Sequence, residues 1–82
     1  MEASESKYCV SVYKKIVSSF SYYFFVSDLQ RSSEVEYISE VYGNTDKDVR
    51  SEAKRIANLY GIYHQRLYLE CQFTGKRWTV NC

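Results

Sequence analysis

The sequence predicts an α+β fold: an antiparallel β-sheet of about five strands with one amphipathic helix packed on one face, in the order β-β-β-α-β-β. Three observations carry that prediction. Segments of period two, rich in Val, Tyr and Phe, lie on both sides of a single segment of period 3.6. The chain has 82 residues, 3 glycines and no proline, which leaves little room for long irregular loops. Its 9 Tyr, 4 Phe and 1 Trp supply large apolar payloads, which a core this small must use efficiently.

Residues 1–6 are acidic and polar and read as a disordered tail, with residues 7–82 as one domain. Tyr8, Val10 and Val12 fall on one face and Cys9, Ser11 and Tyr13 on the other, the alternation of a half-buried strand. Residues 20–27 read as a second strand with aromatics on both faces, which suits a central or covered position. Residues 34–42 fit two patterns. As a strand they turn Val35, Tyr37 and Val41 inward and Glu34, Glu36 and Glu40 outward. As a helix, Val35, Ile38, Val41 and Tyr42 form a stripe, and Ser33 with Glu36 forms a capping box. Enrichment in Val, Ile and Tyr favours the strand.

The helix, residues 46–60, has the strongest signature. Thr45 stands at the N-cap, Asp46 and Asp48 occupy the first turn where the helix dipole is positive, and Gly61 supplies the stop. Val49, Ala53, Ile56, Ala57 and Tyr60 make one apolar stripe, and its two alanines let the helix lie close against a sheet. A hairpin follows. Leu67, Leu69, Cys71 and Phe73 point inward, Thr74 and Gly75 make the connection, and Trp78 and Val80 continue the buried face.

Composition narrows the function. With 11 basic and 10 acidic residues, the chain is neither a strongly acidic nucleic-acid mimic nor a histone-like basic binder. Cys9, Cys71 and Cys82 show no C-x-x-C spacing and His64 is the only histidine, so neither a metal site nor a cofactor is expected. The thiols are expected to be reduced, in a cytoplasmic protein with no signal peptide and no membrane span. His64 has no nucleophile motif beside it, the glycines lie singly, and capping explains Asp46 and Asp48. The expectation is a binding protein, not an enzyme.

Two surfaces could bind. On the helix, Lys47, Arg50 and Lys54 cluster within about 60° at 100° per residue. Arg55 lies apart, near Asp48 and Glu52, where local ion pairs can satisfy it. The cluster reads either as an edge for an anionic partner or as an ordinary solvated flank. The sheet face away from the helix is expected to present Tyr13, Tyr23, Phe25, Arg66, Tyr68, Arg77 and Thr79. Such material suits a single-stranded nucleic-acid platform or a homodimer interface, or else the face is buried under the N-terminal tail.

The stretch Ala53-Lys54-Arg55-Ile56-Ala57, followed by Gly75-Lys76-Arg77-Trp78 and Cys82, resembles the ninth family of type I-F anti-CRISPR inhibitors. These are small phage proteins that also combine one helix with an antiparallel sheet. The resemblance implies an inhibitor acting in the cytoplasm of a bacterial host cell. Its implied partner is a protein assembly, the CRISPR-Cas effector (surveillance) complex, bound at its Cas7 backbone subunits. Basic residues would occupy the channel meant for target DNA, block hybridisation and make some nucleic-acid contact. Carried over by position, Lys54 and Arg55 would be contact residues, and Lys76 and Arg77 match the second motif. The partner-binding candidates are therefore Lys47, Arg50, Lys54, Arg55, Arg66, Tyr68, Lys76 and Arg77.

Overall fold

The computed structural model describes residues 7–16 and 34–82. The tail expected at residues 1–6 and the strand expected at 20–27, with Tyr23 and Phe25, lie outside the described residues. The elements are β1 (Tyr8–Lys15), β2 (Val35–Gly43), α1 (Asp46–Leu59), β3 (Arg66–Cys71) and β4 (Arg77–Asn81). All pairings are antiparallel, in the order β2-β1-β3-β4. The fold is α+β as expected, with a sheet of four strands among the described residues rather than about five.

Residues 34–42 are mostly strand, but their alternation is broken. Val10 pairs with Val41 and Val12 with Ser39, after which the register shifts and Tyr13 pairs with Tyr37. Ile38 is the extra residue of a β-bulge. Opposed residues share a face, so the bulge sends Tyr37 and Val35 to the side away from the helix while Val41 stays on the helix side. The expectation of one inward face for Val35, Tyr37 and Val41 is thereby corrected. Tyr37 is 55% exposed and packs edge-on against Tyr13, with 5.9 Å between ring centroids.

Local hydrogen bonds fix both ends of α1. Thr45 Oγ1 accepts the Asp48 N–H at 3.1 Å, and the Asp48 carboxylate accepts the Asn44 N–H at 3.2 Å. Gly43 must be small here, because a Cβ would lie 2.8 Å from the Asp48 Cβ. At the far end Gly61 takes φ 69°, the Ile62 N–H reaches the Ala57 carbonyl at 2.8 Å, and the Gly61 N–H reaches Asn58 at 3.2 Å. This Schellman closure ends the helix one residue earlier than expected and carries Ile62 into the core. Tyr60, expected in the buried stripe, is the exposed C-cap.

Between helix and sheet lies one apolar layer. Val10 and Val12 from β1, Leu67, Leu69 and Cys71 from β3, and Trp78 and Val80 from β4 meet Val49, Ala53, Ile56 and Ala57 from α1. Burying each large apolar side chain of this layer contributes about 1.5–3 kcal/mol. Phe73, expected to point inward, stands in the β3–β4 turn and is exposed. The strand ends at Cys71, whose N–H and carbonyl close the turn with Lys76 and Gly75.

Candidate functional site

The basic candidates separate by what holds them. Lys47, Arg50 and Lys54 are exposed on α1, and among the described residues no carboxylate forms an ion pair with them. Lys54 borders a cleft of about 300 Å³ with Asn58, Ile62, Tyr63 and Cys82, and Tyr63 is 57% exposed. A cationic stripe beside an exposed tyrosine is good interface material. Arg55, by contrast, is held by Glu52 through Nε at 3.0 Å and Nη2 at 2.8 Å.

The hairpin motif is built into the fold. Lys76 Nζ donates to both Asp46 oxygens, at 3.0 and 3.2 Å, tying the turn to the first residue of the helix. The same ammonium sits over the Tyr8 and Trp78 rings, 5.7 and 5.3 Å from their centroids. Its hydrogen bond holds the Asp46 carboxyl below the usual range, and Asp46 in turn raises Lys76. Arg77 Nε donates to Glu70 Oε2 at 2.9 Å, with both side chains largely buried. The two facing residues are directly opposed in β3 and β4.

The sheet face away from the helix is not the open platform expected. Tyr13 is 2% exposed, Tyr68 6% and Ser11 2%. Bases cannot stack on rings so buried, which removes Tyr13 and Tyr68 as a nucleic-acid platform. Beside them Gln72 Nε2 donates to Ser11 Oγ at 2.7 Å and to a Glu40 oxygen, and Tyr42 donates to the other Glu40 oxygen at 2.7 Å. That bond pushes the Tyr42 phenol up to about 12. Sequence periodicity could not find this network, because it joins β1, β2 and the start of the β3–β4 turn.

Arg66 lies at the end of the sheet, where its Nε donates to Asn81 Oδ1 at 3.2 Å. There it shares a cleft with Lys15, His64 and Tyr68, away from the Arg77–Glu70 pair. His64 is the only described non-glycine residue with positive φ, at 58°. Neither Lys15 nor the left-handed turn at His64 was signalled by a motif.

Cys9, Cys71 and Cys82 carry free thiols. Burial raises the Cys9 thiol, and its hydrogen bond to Glu40 adds to that effect. Burial also acts to raise Cys71, but hydrogen bonds from Thr74 and the turn backbone outweigh it and hold the thiol below its ordinary value. At 1% exposure, Cys71 offers no approach to an electrophile. Among the described residues no three His, Cys, Asp or Glu side chains gather as metal ligands, and no helix is long and apolar enough to cross a membrane. Comparison with protein-family models, curated proteins and solved structures finds no match to this chain.

Proposed function

We propose that the protein is a non-enzymatic binding protein that docks the Lys47–Arg50–Lys54 edge of α1 against an anionic macromolecular surface. The observation supporting this reading is the contrast in pairing. Arg55, Lys76 and Arg77 each form an ion pair with a carboxylate of the same chain, whereas no described carboxylate forms one with Lys47, Arg50 or Lys54. Lys54 stands both on that edge and in the Ala-Lys-Arg-Ile-Ala motif. The resemblance names the target: the DNA channel of a CRISPR-Cas surveillance complex, approached through its Cas7 backbone in the cytoplasm of a bacterial host. Docked there on an anionic patch of the complex, the chain would occupy the space that target DNA needs and so block hybridisation.

A pull-down with assembled type I-F surveillance complex tests the proposal. The wild-type chain should be retained, and Lys47→Glu, Arg50→Glu and Lys54→Glu combined should weaken retention at least about tenfold, as loss of several charge contacts does. Arg55→Glu alone should do less, since Glu52 already holds that side chain. Absence of wild-type retention, or a triple variant that binds as well as wild type, would overturn it.

A further inference from the structure

We propose that the cleft at the end of the sheet, walled by Lys15, His64 and Arg66, is a binding site for a terminal phosphate, carried by a nucleotide or by the 5′ end of a nucleic-acid strand. This site contains none of Lys47, Arg50 and Lys54, although the cleft beside Lys54 also touches Asn81 and Cys82, and it does not depend on that reading. Its geometry follows from strand register. Lys14 and Leu67 are the last residues paired between β1 and β3, and Lys15 and Arg66, each one residue beyond that pair, both line the cleft. Arg66 in turn pairs with Asn81 on β4. The ends of β1 and β3 therefore bring two positive charges to one cleft.

Like charges facing each other across strands are destabilising, and the rest of this sheet avoids the arrangement. Lys14 is met by Glu36 at 3.7 Å, and Arg77 by Glu70 at 2.9 Å. No Asp or Glu side chain plays that part for Lys15 or Arg66 among the described residues, and none lines the cleft there. Charge left uncompensated in a concave site calls for an anion from outside.

Shape and donor chemistry narrow the anion to phosphate. The cleft is open to solvent and offers about 570 Å³. Asn81 engages Arg66 through Nε, which orients the guanidinium and leaves its terminal nitrogens for a ligand. Lys15 adds a point charge, and Gln65 and Asn81 add amide groups. His64 reaches the cleft from a left-handed backbone, a conformation costing about 1–2 kcal/mol outside glycine. Strain retained in a wall of a charged cleft is expected where it positions a ligand group. A tetrahedral phosphate can accept from an arginine fork, an ammonium and an imidazole at once, whereas a planar carboxylate is filled by the fork.

Amide-resolved NMR titration tests the site with four probes: adenosine monophosphate, adenosine, and a tetrathymidylate with either a 5′-phosphate or a 5′-hydroxyl. Adenosine monophosphate, the 5′-phosphorylated strand, or both should shift the amides of His64, Gln65, Arg66 and Asn81. A response to the nucleotide alone identifies a small-molecule source, and a response to the strand alone identifies a strand end. Lys15→Gln with Arg66→Gln should weaken the response at least tenfold, and the spectrum itself reports whether that variant is folded. Should it unfold, His64→Asn, which tolerates the left-handed turn, should weaken the response about threefold. The triple helix-edge variant should respond like wild type, so failure here and failure of the helix reading are distinguishable. No shifts at these amides with either phosphate probe, equal shifts with the probes lacking phosphate, or an undiminished response in the folded cleft variant would overturn the proposal.

Discussion

The two faces of the sheet are buried by different chemistry. Toward α1 the strands offer Val, Leu, Cys and Trp, whose side chains form one hydrophobic cluster. On the opposite side Ser11, Tyr13 and Tyr68 are equally hidden, but they sit among Glu40, Gln72, Glu70 and Arg77, which hydrogen-bond and pair with one another. A non-directional core needs only shape and volume, whereas a polar face needs partners at fixed positions. Charges on the second face are accordingly part of its construction. Those at the helix edge and at the sheet end are left over.

Substitutions can break or sharpen that contrast. The largest effect is expected on the apolar side: Leu69→Ala removes a side chain with 0% exposure and should cost about 2–5 kcal/mol in urea unfolding. A loss below about 1 kcal/mol would show that the helix–sheet layer is loosely packed. On the polar side, Arg77→Met takes the fork from a Glu70 side chain only 18% exposed and should cost about 1–3 kcal/mol. Adding Glu70→Gln should recover part of that loss, because the penalty is an unpaired charge rather than a missing contact. Additive losses in the two substitutions would deny that the pair is coupled.

The smallest effect is a pH dependence. The Tyr42 hydroxyl, followed by Cys9, holds the Glu40 carboxyl below its ordinary value, and Lys76 does the same to Asp46. A carboxyl depressed in the folded state stabilises the fold above its unfolded pKa of about 4. That stabilisation is lost as pH falls through the folded value. Thermal midpoints should therefore decline modestly as the solution is acidified past pH 4, and Glu40→Gln should flatten part of the decline. A Glu40→Gln profile parallel to wild type would remove this carboxylate from the account.

Features written in local sequence were legible in advance. Thr45, Asp48 and Gly61 mark a helix by hydrogen bonds spanning only a few residues, and all three serve as read. The strands 8–15 and 66–71 show their helix-facing residues by simple alternation. The errors lie where a distant partner decides. The bulge at Ile38 exists only because β2 pairs with β1 out of step, and it displaced Tyr37 and Val35. Phe73 was assigned inward because the alternation continued on paper past the point where the turn begins. On the site, Lys47, Arg50 and Lys54 all lie exposed on α1, and Arg55 met Glu52 as anticipated. The engagement of Lys76 with Asp46 and of Arg77 with Glu70 was invisible, since both pairings require the folded hairpin.

The strand order has a kinetic consequence. β1 lies between β2 and β3, and the Gln72–Ser11 hydrogen bond joins positions 61 apart in sequence. During synthesis β1 emerges long before β3, so one of its edges stays open until nearly the whole described chain has been made. Loop closure over that distance is slow compared with forming α1, which needs only its neighbours. The helix and the β1–β2 pair are expected to be the early structure, and docking of the β3–β4 hairpin the late and committing event.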